Sequence, residues 1–159
     1  MKSFYKGLQC AYGDWIVLPR SQMTVQELDT AAGETLALDD FTLIARPTHH
    51  RPESLAYRIE DRHGCSVVYS GDTDECDSLW RLARNTDLLI CEAAMPDQHK
   101  APGHLTPGLA GRIAHQARAK RLVLTHLYPQ CDEVDIVKQA RKAYKGEIFP
   151  AEDLMTFAF

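Results

Sequence analysis

Two short runs, the apolar residues 88–91 and the strand-like 121–125 centred on Leu122-Val123-Leu124, constrain this chain most, because each follows a segment with helical signals. A short run of three or four consecutive apolar residues suits a strand buried on both faces. Helix followed by buried strand, repeated, is the pattern of an α/β protein with parallel strands. Before the first run, residues 74–85 place Leu79, Trp80, Leu82 and Ala83 on one helix face. Before the second, Thr106-Pro107 gives an N-cap followed by a proline at the first helical position, and the helix is predicted to reach about Ala119. A further helix is expected over 133–144, stopped by Lys145-Gly146, and 147–159 is expected to close the chain with strands.

The first half reads differently. Residues 35–46 have the shape of two strands around Asp39-Asp40, and 54–60 and 66–70 flank Asp61-Arg62-His63-Gly64, where Gly64 suits the positive φ of a tight turn. Residues 25–28 are at best a short helix, and the rest of the N-terminal stretch reads as irregular. At 159 residues the chain has the size of one domain, 1–159.

Charge and cysteine usage narrow the function. No apolar run approaches the roughly 18 residues needed to span a bilayer, so no membrane partner is expected. Five cysteines (Cys10, Cys65, Cys76, Cys91, Cys131) without CxxC pairing argue against a disulfide framework and a zinc ribbon, and a cytoplasmic location is expected. A net charge of -4 with scattered Lys and Arg argues against strong nucleic-acid binding.

In α/β layouts ligands bind where strand C-termini converge. Four predicted strand ends carry polar groups there: His49-His50 after 41–46, Gly71-Asp72-Thr73 after 67–70, Glu92 after 88–91 and His126 after 122–125. Singly, Gly-Asp-Thr is ordinary turn chemistry and His126 a satisfied histidine. Jointly, imidazole, carboxylate and imidazole make an N/O site of the type that takes zinc or manganese. His49 would face away from His50 in extended chain, and His63, His99 and His115 read as solvated. Cys91 ends an apolar run and reads as a packed thiol rather than a nucleophile.

Tyr69-Ser70-Gly71-Asp72-Thr73, Leu122-Val123-Leu124-Thr125-His126, and His50 seven residues before Tyr57-Arg58-Ile59 together resemble metallo-β-lactamase-fold hydrolases of the ribonuclease Z type, from about Asp40 to Pro150. That resemblance implies an α/β fold, the C-terminal half of an αββα sandwich with a mixed sheet and flanking helices. It implies His50 and His126 as ligands of two different metals, and Asp72 as the carboxylate bridging a dinuclear Zn2+ site, with Mn2+ as the alternative. A hydroxide between two such ions is a nucleophile at neutral pH. Glu92 and His104 resemble the family's acidic strand end and its later histidine, implying that Glu92, His104 and Asp72 act in catalysis; for His104 the bland reading is a loop residue beside the helix cap. Cys91 and Leu105 depart from the pattern, standing where a histidine and a small hydroxyl residue are common.

The expected reaction is hydrolysis of a phosphodiester or other ester. A short hairpin stands where transfer-RNA-processing members carry a long basic arm, which favours a small-molecule or nucleotide phosphodiester substrate. The family's first metal motif, His-x-His-x-Asp-His, does not occur in the sequence. The expectation is therefore a chain weakly active on its own, or an inactive fragment or interaction module. It would associate as a homodimer or with a partner supplying the missing half.

Overall fold

A computed structural model of the chain describes residues 2–17, 26–29 and 31–159. One seven-stranded mixed sheet runs in sequence order: β1 (Glu34–Ala37), β2 (Phe41–Pro47), β3 (Leu55–Asp61), β4 (Ser66–Tyr69), β5 (Leu88–Glu92), β6 (Arg121–Thr125) and β7 (Glu147–Pro150). The first four strands pair antiparallel and the last four parallel. Both expected hairpins form, and Gly64 takes φ 85° at the second turn.

Helices α2 (Asp77–Leu82), α3 (Pro107–Ala117) and α4 (Ile136–Arg141) occupy the three parallel crossovers. These crossovers step the same way across the sheet, so their right-handedness places all three helices on one face. The core lies between those layers: Val68, Leu89, Leu122, Leu124 and Ile148 from the strands meet Leu79, Ile113, Ala114 and Ala140 from the helices. Leu43, Ile59, Val67, Tyr69 and Ile90 share the opposite face by strand register, and Ile59 and Tyr69 are 44% and 47% exposed. At one end of that face the tail folds back, with the Arg121 guanidinium 5.6 Å and 4.7 Å from the Phe157 and Phe159 rings.

Four local readings are corrected. Residues Lys2–Tyr12 form a helix, α1, where the sequence reads as irregular. Its Phe4, Tyr5, Leu8 and Tyr12 carry a helical period that the interleaved polar residues obscure, and the Tyr5 hydroxyl donates to the Ile16 carbonyl at 3.2 Å. Of the short helix expected at 25–28, Val25 lies outside the described residues and 26–28 has no regular structure. The expected 133–144 helix starts later, because the Asp135 carboxylate caps it by accepting from the Lys138 N–H at 2.7 Å, and Pro129–Glu133 is a separate 3-10 turn. After β7 no second strand follows; the chain turns at Leu154, φ 64°.

Candidate metal centre

Two successive antiparallel pairings make β2 run in the same direction as β4, and β5 and β6 are parallel to β4. The C-terminal ends of β2, β4, β5 and β6 therefore share one rim, and His50, Asp72, Glu92 and His126 meet there. A side-chain atom from each of His50, Asp72 and His104 lies within 4.8 Å of the other two. The His104 ring sits between the other imidazoles, with ring centres 4.9 Å from His50 and 5.4 Å from His126.

Hydrogen bonding fixes how these groups face each other. The Gly103 carbonyl can only accept, so the 3.1 Å contact from His50 Nδ1 puts the proton on Nδ1 and leaves a lone pair on Nε2. That lone pair faces Asp72 Oδ2 at 3.9 Å. On the other side His126 Nε2 lies 3.7 Å from Asp72 Oδ1 and is buried with no hydrogen-bond partner. Buried polar atoms are nearly always satisfied. Both separations are too long for hydrogen bonds, yet shorter than two zinc–ligand bonds of about 2.0–2.2 Å placed end to end. An imidazole nitrogen facing a carboxylate oxygen across such a gap, on each side of Asp72, is the arrangement a cation between them would satisfy, and N/O donors suit zinc or manganese.

Glu92 organises the site from below. It is buried, and its carboxylate accepts from the backbone N–H groups of Thr73 (2.7 Å), Leu105 (3.0 Å) and Ala94 (3.3 Å). It also accepts a hydrogen bond from His104 Nδ1 at 3.0 Å, which leaves His104 Nε2 facing the site. His49 is exposed and uses its backbone, bonding Asp74 N–H at 2.8 Å and the Thr73 hydroxyl at 3.1 Å, so that its neighbour His50 turns inward. His63, His99 and His115 are exposed. Cys91 is fully buried; burial, and then the adjacent Glu92 charge, push its thiol far above the ordinary range.

Two contributors carry no clear sequence signal. Asp74 clamps the loop that delivers His104, accepting from Lys100 Nζ at 2.7 Å and Gly103 N–H at 3.1 Å. Burial raises its carboxyl, but the Lys100 bond and the N–H groups of Glu75 and Gly103 outweigh this and hold it below the usual range. The exposed Tyr128 stands edge-on to His126 with ring centres 5.3 Å apart. An acidic residue two positions beyond Asp72, and an aromatic two beyond His126, were the only hints.

Residues 10–127 match the sequence family described as a beta-lactamase superfamily domain. The chain belongs to the beta-lactamase superfamily. Within the superfamily it is ribonuclease Z-like. It is 38% identical over 120 residues to an uncharacterized protein of Mycobacterium tuberculosis, covering 74% of this chain and 44% of that one. To a ribonuclease Z of Haloferax volcanii it is 35% identical over 128 residues, covering 77% of this chain and 38% of the other. Among solved structures it resembles the metallo-beta-lactamase fold protein YhfI from Bacillus subtilis, with a TM-score of 0.70 and 29% identity over 87% of this chain and 60% of that one. The chain thus spans less than half the length of these curated superfamily relatives. The mixed sheet with flanking helices is the metallo-β-lactamase α/β architecture that the sequence implies. Among the described residues no helix is long and apolar enough to cross a membrane.

Proposed function

We infer that this chain carries part of the catalytic centre of a metal-dependent hydrolase, ribonuclease Z-like, acting on a phosphodiester. The observation that carries this reading is Asp72, whose two oxygens each face the unprotonated or unpartnered Nε2 of a different histidine, His50 and His126. A carboxylate so placed can serve two cations, and the donor set fits Zn2+ first and Mn2+ second. When bound, such ions supply Lewis acidity and activate water.

The protein groups divide the remaining work. His50 and His126 hold the two sides of Asp72, and the Gly103 carbonyl keeps His50 in the ligating tautomer. His104, whose Nδ1 is held by Glu92, turns Nε2 toward the site and would protonate from there the oxygen that leaves phosphorus. Glu92 stabilises the imidazolium and sets its direction. The described residues offer each ion one nitrogen and one shared oxygen, which favours weak metal retention unless further ligands are supplied. The competing reading, a non-catalytic module that retains the ligands, rests on that shortfall.

Elemental analysis of the purified chain, with hydrolysis of bis-p-nitrophenyl phosphate in added zinc or manganese, separates the two. Weak but saturable metal uptake and slow turnover in added metal, both lost in Asp72→Ala, are expected. His104→Asn should retain metal while turnover falls by roughly 10²–10⁴-fold, the usual contribution of a general acid. No metal uptake and no turnover after reconstitution would favour the non-catalytic module.

A further inference from the structure

The helix-bearing face of the sheet contains a second polar feature, unconnected with the histidines. A groove of about 540 Å³ runs between α2 and strands β2 and β3, and four arginines line it: Arg46, Arg58, Arg81 and Arg84. Its apolar wall includes Ile44 and Leu82. The chain's net charge is -4, so this concentration of guanidinium groups opposes the overall balance.

The four are not equivalent. Arg58 is held in place by donating to the Leu82 and Arg84 carbonyls, each at 3.1 Å, and pairs with Glu60 at 2.9 Å. Arg46 uses NH1 on the Ala45 and Glu34 carbonyls, at 2.7 Å and 3.3 Å, and contacts no carboxylate among the described residues. Arg81 pairs with Asp77 at 3.1 Å and lies over the Trp80 ring. Arg84 is exposed, and its guanidinium has no partner among the described residues. Among the described residues the ion pairs set two carboxylates, Glu60 and Asp77, against these four positive groups. Two of the four are fixed by backbone carbonyls before any ligand arrives.

Guanidinium forks match phosphate oxygens in charge and geometry, and an apolar wall focuses their field. A volume of this size suits a small ligand. By strand register Arg46 and Arg58 point to the helix-bearing face, whereas Glu92 shares the face of Ile90 and Tyr69. The groove is therefore separate from the histidine cluster, and its occupancy does not depend on the hydrolase reading. We propose that it is a binding site for a small ligand carrying a diphosphate group, as in a nucleoside diphosphate.

The test is calorimetric titration of the full chain in EDTA with inorganic pyrophosphate, at low salt and again at high salt. One equivalent should bind, more weakly as salt rises. The Arg81→Ala/Arg84→Ala double variant should weaken binding by about tenfold or more, whereas Lys138→Ala on α4 should not. ADP should displace pyrophosphate. Should the double variant lose its far-UV circular dichroism, Arg84→Ala alone carries the same reading, since its guanidinium holds nothing described. Absence of saturable binding, equal affinity in the arginine variants, or binding of a single-stranded oligoribonucleotide without pyrophosphate or ADP would each overturn the proposal.

Discussion

Gly103 and Glu92 show how single residues set the candidate centre. Gly103 adopts φ 81°, and a Cβ there would lie 3.0 Å from His50 Nδ1. Gly103→Ala should therefore both strain the backbone and push His50 from its carbonyl partner. The expected outcome is a loss of metal affinity larger than any loss of melting temperature, read by titration with Co2+ and by thermal denaturation. Glu92 binds three backbone N–H groups and one imidazole, so Glu92→Gln removes the charge that all four contacts use. A destabilisation of about 1–3 kcal/mol is expected by chemical denaturation, with an altered acid limb in the pH dependence of any turnover. An unchanged denaturation midpoint would show that Glu92 is not the organiser described above.

Among the elements, α3 links site and core. Its start is set locally: the Thr106 hydroxyl accepts from the Leu109 N–H at 3.3 Å, and Thr106→Ala should cost about 1 kcal/mol. Its position is set by a neighbour. A Cβ on Gly111 would lie 2.5 Å from the Ala140 carbonyl oxygen, so α3 and α4 touch through a position with no side chain. Gly111→Ala should force these helices apart and destabilise the fold by about 1–3 kcal/mol, despite alanine's better helix propensity. A stabilised variant in urea denaturation would contradict that packing. The difference between the two sites has a sequence counterpart, since Thr-Pro before an apolar helix is a readable start signal, whereas nothing local to Gly111 announces Ala140.

At the scale of the whole molecule, ion pairs and the uncovered sheet face matter most. Asp87 is held below the usual carboxylate range chiefly by Lys120 Nζ at 2.6 Å; burial opposes this, and the Ser66 N–H at 2.8 Å adds to it. A carboxyl depressed in the folded state contributes stability that is complete above its unfolded value near about 3.9 and is lost as pH falls through the lower folded value. Denaturation free energy should therefore decline below about pH 4, and Asp87→Asn should flatten that decline. The face carrying Ile59 and Tyr69 leaves apolar side chains open to solvent. Self-association through it is expected at tens of micromolar, visible by sedimentation and reduced in Tyr69→Lys; a strictly monomeric chain would argue against it.

Local chemistry determined much of this protein. The hairpin turns, the apolar strand runs, the Thr106-Pro107 start and the His50, Asp72, Glu92 and His126 strand ends are all readable, because turn geometry, periodicity and donor type are properties of neighbouring residues. Helix α1 was hidden by polar residues interleaved with its period, and α4 was mistimed because Asp135 took the cap role. Only the tertiary structure decided that β2 runs with β4, which brings His50 to the rim occupied by Asp72. It alone set the Gly103 carbonyl against His50, the Lys100–Asp74 clamp, and the gathering of Arg46, Arg58, Arg81 and Arg84 into one groove from positions that look scattered along the chain. Strand direction and cross-chain contact depend on pairings between residues tens of positions apart, and no local propensity encodes them.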